Sequence, residues 1–266
     1  MDQQNSTHAQ AARPLDIFRL DGKVAIVTGA SRGIGAALAI GLAQIGAKIL
    51  LVSRSAPDDE VTSALRETSQ PFQHFAADLS EMANVPKTVE AALTHFGQID
   101  ILVNNAGKIH RTPFLDYSEA DWDAVLNTNL KIPMFLAQAC AREMVKRGQG
   151  GKIINICSLL SYQGGILVPA YTAAKHGLAG ITKSMANELA QHRINVNGIA
   201  PGYIKTDSTL ALQNDPVRNN AITARIPQGY WGEPSDLVGA AIFLASAASN
   251  YMNGHILDVD GGWMGR

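Results

Sequence analysis

The chain has 266 residues, with 22 Lys and Arg against 23 Asp and Glu, a formal charge of −1. That balance gives no electrostatic reason to bind nucleic acid or an anionic membrane. The charged fraction is only 17%, below the roughly 25% of an average domain, which suggests surface buried between subunits. A hydrophobic content of 46% excludes disorder for the bulk of the chain, and the length suits a single α/β domain.

The N-terminal stretch MDQQNSTHAQAARP lacks the apolar core of a signal peptide, so a polar, disordered tail is expected over 1–18. The longest apolar segment, Leu237–Ala248, is interrupted by Gly239 and reads as a buried helix, too short to span a membrane. Cys140 and Cys157 are too few for a disulfide framework and have no metal-ligand spacing. Two buried thiols, no metal site and a cytoplasmic location are the resulting expectations.

Short apolar runs alternate with helical patterns along the chain. Lys23–Thr28, Lys48–Ser53, Gln73–Ala77, Ile101–Asn104, Lys152–Cys157, Ile194–Ile199 and His255–Val259 read as strands, most of them nearly continuous in apolar character, as strands covered on both faces are. Between them, Ala36–Ile45 reads as a helix after a glycine turn. Ser118 is placed to N-cap a helix carrying Trp122, Val125 and Leu126. Tyr171–Gln191 sets Leu178, Ile181, Met185 and Leu189 on one stripe. This alternation predicts a single-domain, doubly wound α/β fold, a parallel sheet with helices on both faces. The chain then runs about fifty residues from Ile199 to the last strand, an excursion long enough to build a lid or a site wall.

Thr28-Gly29-Ala30-Ser31-Arg32-Gly33-Ile34-Gly35 joins the first strand to the first helix. A glycine-rich turn there directs free N–H groups and the positive end of the helix dipole at an anion, and the absence of side chains lets a pyrophosphate approach. A ribose 2′-OH needs an acidic acceptor about twenty residues further on, whereas a 2′-phosphate needs Arg. The second strand ends Ser53-Arg54 with no carboxylate, and Arg32 adds a second cation, so NADP(H) is favoured. NAD(H) stays open, because Asp58 or Asp59 could fold back to a 2′-OH.

Tyr171-Thr172-Ala173-Ala174-Lys175 places a phenol and an ammonium four residues apart, on one face of a helix. An unaided phenol, titrating near 10, is a poor base at neutral pH, and a nearby cation stabilises its phenolate. Ser158, at a strand end thirteen residues earlier, could hold the substrate oxygen while Tyr171 moves the proton.

Taken together, TGASRGIG, NNAG (Asn104–Gly107), Ser158, YTAAK and PGYIKT (Pro201–Thr206) resemble the short-chain dehydrogenase/reductase family over Leu20–Arg266, in its order and spacing. The resemblance implies a Rossmann-type sheet of seven parallel strands in the order 3-2-1-4-5-6-7, a domain over 19–266 and a substrate loop at about 203–232. It implies a catalytic tetrad of Asn129, Ser158, Tyr171 and Lys175, with Asn129 bending a helix and holding a water that relays protons to Lys175. Around the cofactor it implies Gly29, Ser31, Arg32, Gly33, Ile34 and Gly35 of the glycine loop, then Ser53 and Arg54. Asp78 and Leu79 would meet the adenine, Asn105, Ala106 and Gly107 would border the adenosine, and Lys175 with Tyr171 would reach the nicotinamide ribose. Pro201, Gly202, Ile204 and Thr206 would flank the nicotinamide. Members commonly form dimers or tetramers through the helices near Asn129 and Tyr171, and a homotetramer is expected here.

Within that family the chain is similar to the sugar-acid members, the gluconate and deoxy- or keto-gluconate dehydrogenases, through GKIINICS, SYQGG, NGIAPGYIKT, RIPQGYWGEPSDL and NGHILDVDGGW. Independently of that resemblance, Arg111 just after NNAG could grip a carboxylate in two parallel hydrogen bonds, and Gln163 and Tyr203 offer polar contacts to hydroxyls. A sugar acid is the expected substrate. Reduction of another carbonyl, such as a 3-oxoacyl thioester, is the alternative activity, and a non-catalytic cofactor sensor the alternative class.

Overall fold

In the computed structural model, which describes residues 14–266, the apolar runs form one sheet and the segments between them pack on its two faces. In chain order the main elements are β1 (Val24–Thr28), α1 (Gly33–Gln44), β2 (Lys48–Ser53), α2 (Asp59–Glu67), β3 (Phe72–Ala76), α3 (Asn84–Phe96), β4 (Ile101–Asn104) and α4 (Glu119–Leu126). They continue with α5 (Ile132–Arg147), β5 (Gly151–Ile156), α6 (Pro169–Leu189), β6 (Ile194–Pro201), α7 (Leu210–Gln213), α8 (Pro216–Arg225), α9 (Val238–Ala245) and β7 (Ile256–Val259). The expected N-terminal tail lies mostly outside the described residues, and its last part, Asp16–Phe18, makes one turn of 3-10 helix.

All seven strands are parallel, in the order β3-β2-β1-β4-β5-β6-β7. Successive side chains of each strand serve opposite layers. Ala25 and Val27 of β1 join a core with Leu38 and Leu42 of α1 and Leu244 of α9, while Ile26 joins one with Val89 of α3 and Leu136 of α5. Both faces of the central strands are covered, so β1, β2 and β4 read as nearly unbroken apolar runs, while the edge strands β3 and β7 keep exposed polar residues, Gln73 and Asp258. Among the described residues no helix is long and apolar enough to cross a membrane.

Three local features differ from expectation. First, α1 starts at Gly33, so the glycine loop supplies the helix's first turn. Second, on α6 the deeply buried line is Ala174, Leu178, Thr182 and Ala186, with Ile181 and Met185 only half-buried. Small residues let the helix lie close against the sheet. Third, only the first part of the excursion after β6 lies over the cleft. Its later part, α9, packs on α1 as core.

The order in which strands are added reverses between β1 and β4, which opens a crevice beyond the carboxyl ends of the strands. A buried relay stiffens the sheet beneath it. Asn104 Nδ2 donates to Asn155 Oδ1 at 2.9 Å, Asn155 Nδ2 to Thr182 Oγ1 at 2.8 Å, and Thr182 Oγ1 to the Leu178 carbonyl at 2.7 Å. Asn104, Asn155 and Thr182 are linked in turn by these bonds, so β4, β5 and α6 are held in one register.

Candidate active site

The crevice is a cleft of about 1800 Å³, lined by every cofactor, catalytic and substrate residue expected from the sequence. A drug-sized ligand fills roughly 300–1,000 Å³, so this cleft has room for a dinucleotide and a second molecule. At one end lies the glycine loop. Gly29 and Gly33 have φ of +64° and +58°, a left-handed conformation that a side chain would strain. A Cβ on Gly33 would meet only Thr206, at 3.7 Å, so the space in front of it is open to a ligand. Gly35 is different. A Cβ there would strike the Gly29 carbonyl and Asn105 Nδ2, so this glycine is required by packing inside the protein rather than by phosphate approach.

NNAG supports the loop from behind. Asn105 Nδ2 donates to the Thr28 carbonyl at 2.8 Å and to that of Gly29 at 3.1 Å, while the Asn105 and Ala106 N–H groups donate to Thr28 Oγ1. The α1 N-terminus has no side-chain cap and no acid in its first turn. Its free N–H groups and dipole are therefore available to an anion, as a pyrophosphate site requires.

The cations beyond the loop divide into two kinds. Arg32 pairs with Asp207 on the loop after β6, at 2.9 Å, both side chains largely exposed. Arg54 has no ion-pair partner among the described residues. Ser53 turns its hydroxyl inward, donating to the Ser55 carbonyl at 2.8 Å with His74 Nε2 at 3.0 Å. Asp78 accepts from the Ser80 N–H at 2.8 Å, and this bond, with Arg54 and Lys108 nearby, holds its carboxyl below the usual carboxylate range. Leu79 beside it is buried against the cleft wall.

The reacting end is built from β4, β5, α6 and the segment between α4 and α5. Ser118 caps α4 as expected, accepting from the Asp121 N–H at 3.1 Å. The chain then passes through a π-helical stretch, Asn127–Lys131, with Asn129 fully buried at its centre. Asn129 Nδ2 donates to the Lys108 and Val125 carbonyls at 2.7 and 2.9 Å, and its Oδ1 accepts from the Lys108 N–H. The wider π turn gives the side chain its place, a local irregularity typical of functional positions. Lys175 is 4% exposed, with Nζ 5.4 Å from the centroid of the Tyr171 ring and donating to the Ile156 carbonyl at 2.6 Å. Phenol and ammonium therefore share one space. Ser158, directly beyond β5, caps a 3-10 turn by accepting from the Leu160 N–H. Cys157 beside it is a buried free thiol, pushed up to about 11 by burial, and Cys140 is likewise buried and free.

Over the reacting end, a bridge between Ile204 and Gly232 closes the base of a loop carrying α7 and α8. Tyr203 is wedged between Trp231 and Trp263, ring centroids 5.1 and 4.8 Å away. Trp231 is buried, with its N–H donating to Asn219 and Thr223, and packs the loop. Gln163 Oε1 accepts from Trp263 Nε1 at 3.0 Å, so only its amide N–H groups remain for a ligand. Arg111 is exposed and donates to the Ser208 carbonyl at 3.3 Å. Several lining residues were not singled out from sequence, among them Arg218, Ile222 and Arg225 of α8 and Trp263 near the C-terminus. The signal available for the first three was their i, i+4, i+7 spacing.

The chain matches the family model described as short chain dehydrogenase over residues 23–216. It is 49% identical over 252 residues to 2-dehydro-3-deoxy-D-gluconate 5-dehydrogenase of Escherichia coli (strain K12), covering 95% of this chain and 99% of that one. A solved structure from Agrobacterium tumefaciens, described as a candidate 2-deoxy-D-gluconate 3-dehydrogenase with bound NADP, is 50% identical. It superposes with a TM-score of 0.88 over 94% of this chain and 99% of the other. A gluconate 5-dehydrogenase from Burkholderia cenocepacia J2315 in complex with NADP and tartrate is 41% identical, with a TM-score of 0.88 over 96% and 100% of the two chains. Matching motifs in matching places over nearly the whole length leave one assignment: the chain belongs to the short chain dehydrogenase family.

Proposed function

We propose that this protein is an NADP(H)-dependent oxidoreductase that interconverts a secondary alcohol and a ketone on a sugar acid of the gluconate, deoxy-gluconate or keto-gluconate type. The observation that carries the reading is the Tyr171 phenol and the buried Lys175 ammonium together in the cleft that begins at the uncapped α1 N-terminus. The open space before Gly33, the free first-turn N–H groups and unpaired Arg54 fit a dinucleotide bearing a 2′-phosphate. The names of the relatives supply the substrate class.

When bound, the nicotinamide supplies or accepts a hydride. The chain's own residues do the rest. Tyr171 moves the proton at the substrate oxygen, and the Lys175 cation stabilises its phenolate. The Ser158 hydroxyl donates to that same oxygen as charge develops on it. Asn129, anchored by its hydrogen bonds, shapes the π turn beside Lys175. We further infer that the enzyme acts as a homotetramer in the cytoplasm, where two free buried thiols persist.

The test is nicotinamide absorbance with purified protein, with both cofactors, against gluconate, 5-ketogluconate, 2-deoxygluconate, a 2-keto-3-deoxy sugar acid and an acetoacetyl thioester. Turnover confined to sugar acids is expected, faster with NADP(H), and turnover of the thioester alone would overturn the substrate class. Tyr171→Phe should lower kcat about 10²- to 10⁴-fold, the usual worth of a positioned proton donor. Unchanged activity in that variant would remove the mechanism.

A further inference from the structure

The helix α8 lies over the reacting end of the cleft and turns one face into it. Its cleft-lining residues are Arg218, Ala221, Ile222 and Arg225, at i, i+3, i+4 and i+7, which is a single stripe of an α-helix. The two arginines stand at the ends of that stripe with Ile222 and Ala221 between them. Arg111 reaches the same cleft from the segment after NNAG.

None of these charges, on Arg218, Arg225 or Arg111, is neutralised by an ion pair among the described residues, although Arg111 spends one N–H on the Ser208 carbonyl. The acids nearby are otherwise engaged: Asp215 accepts the Val217 and Arg218 N–H groups as the cap of α8, and Asp207 pairs with Arg32. Arg225 is also held in place. Its guanidinium carbon lies 3.9 Å from the centroid of the Trp263 ring, a cation–π contact that leaves its N–H groups without a hydrogen-bond partner among the described residues. A guanidinium so placed is suited to bidentate carboxylate recognition. Burial raises Tyr203 above the ordinary phenol range, and Arg218, Arg225 and Arg111 all oppose that rise, so their fields converge on one spot at this end.

We propose that Arg218 and Arg225 of α8, with Arg111 of the same cleft, form the subsite that takes the carboxylate of the substrate and so determine specificity for an anionic carbonyl compound. This rests on the sugar-acid reading above and extends it by assigning the acid group to a helix of the lid.

The experiment compares the NADPH-loaded enzyme with Arg218→Gln, Arg225→Gln and Arg225→Lys on two substrates: 5-ketogluconate, and an uncharged ketohexose with CH₂OH in place of the carboxylate. For the acid, each Gln variant is expected to raise KM about 10- to 100-fold, the worth of a charge-assisted hydrogen bond, with kcat within about threefold. The kcat/KM for the ketohexose and the NADPH Kd should stay within about threefold of wild type, and Arg225→Lys should recover part of the acid KM. Equal losses on both substrates would make the arginines merely structural, and an unchanged acid KM in both Gln variants would remove the subsite. In either case wild-type turnover of the sugar acid would leave the proposed function standing. If the wild type reduces only uncharged or thioester carbonyls, the sugar-acid reading falls and this subsite with it.

Discussion

Arg54 is the residue on which cofactor choice turns. Of the two cations that flank the expected 2′ position, Arg32 already pairs with Asp207, whereas Arg54 has no ion-pair partner among the described residues. An exposed pair such as Arg32–Asp207 contributes only about 0–1 kcal/mol, so it is easily exchanged, but Arg54 needs no exchange at all. Arg54→Asp should therefore lower the preference for NADP over NAD about 10- to 100-fold, measured as the ratio of kcat/KM values. An unchanged ratio would show that the 2′-phosphate is recognised elsewhere. Gly35 makes a second prediction at this scale. Its Cβ would collide with the Gly29 carbonyl and the Asn105 amide, neither of which can withdraw without opening the β1–α1 turn. Gly35→Ala should cost about 1–3 kcal/mol in denaturant unfolding, the usual range for overpacking, and weaken dinucleotide binding. Gly97→Ala, where nothing lies within 4 Å but φ is +77°, reads backbone strain alone, whereas Gly35, whose φ is not left-handed, reads collision alone.

Among the elements, β5 carries the feature with the clearest pH dependence. Lys152, near its start, is buried, and Nζ donates to Asn195 Oδ1, Ser249 Oγ and Asn250 Oδ1 at 2.9, 3.2 and 2.9 Å. Among the described residues no carboxylate pairs with it, and burial lowers its pKa to about 8 from the ordinary 10.5. Between those two values the unfolded chain holds more protons than the folded one, so stability rises with pH across the window. Below about 8 the burial cost is present in full, eased by the three hydrogen bonds. Relative to Lys152→Met, the wild type should gain on the order of 1–3 kcal/mol between pH 8 and 10.5. Parallel stability curves for the two proteins would show that the ammonium suffers no burial cost. The same logic of local geometry applies to α4 and α5. The Ser118 cap was legible because a short acceptor before an acidic turn has one obvious use, N–H capping. The π stretch at Asn127–Lys131 was expected only as a bend implied by family resemblance, since NTNLK has no glycine or proline to mark it.

For the whole molecule, the low charge fraction finds a counterpart in apolar side chains left open on α4 and α5. Trp122, Phe135 and Val145 are 36–38% exposed there. Light scattering should return the mass of four chains, and Phe135→Glu should shift it to smaller species. A monodisperse monomer in the wild type would remove the assembly reading. The fold itself was largely legible in the sequence, because strands covered on both faces must be continuously apolar and parallel strands must alternate with helices. The glycine loop, Tyr171 and Lys175 were legible for a related reason: their chemistry depends on spacing within one turn or one helix, and spacing is a property of sequence. Other features join residues far apart in the chain. Arg32 meets Asp207, Gln163 gives its oxygen to Trp263, and Arg225 stacks on that same ring. Which side chains are spent on the protein and which remain for a ligand is settled by such long-range pairs, and only the packed tertiary structure brings them together.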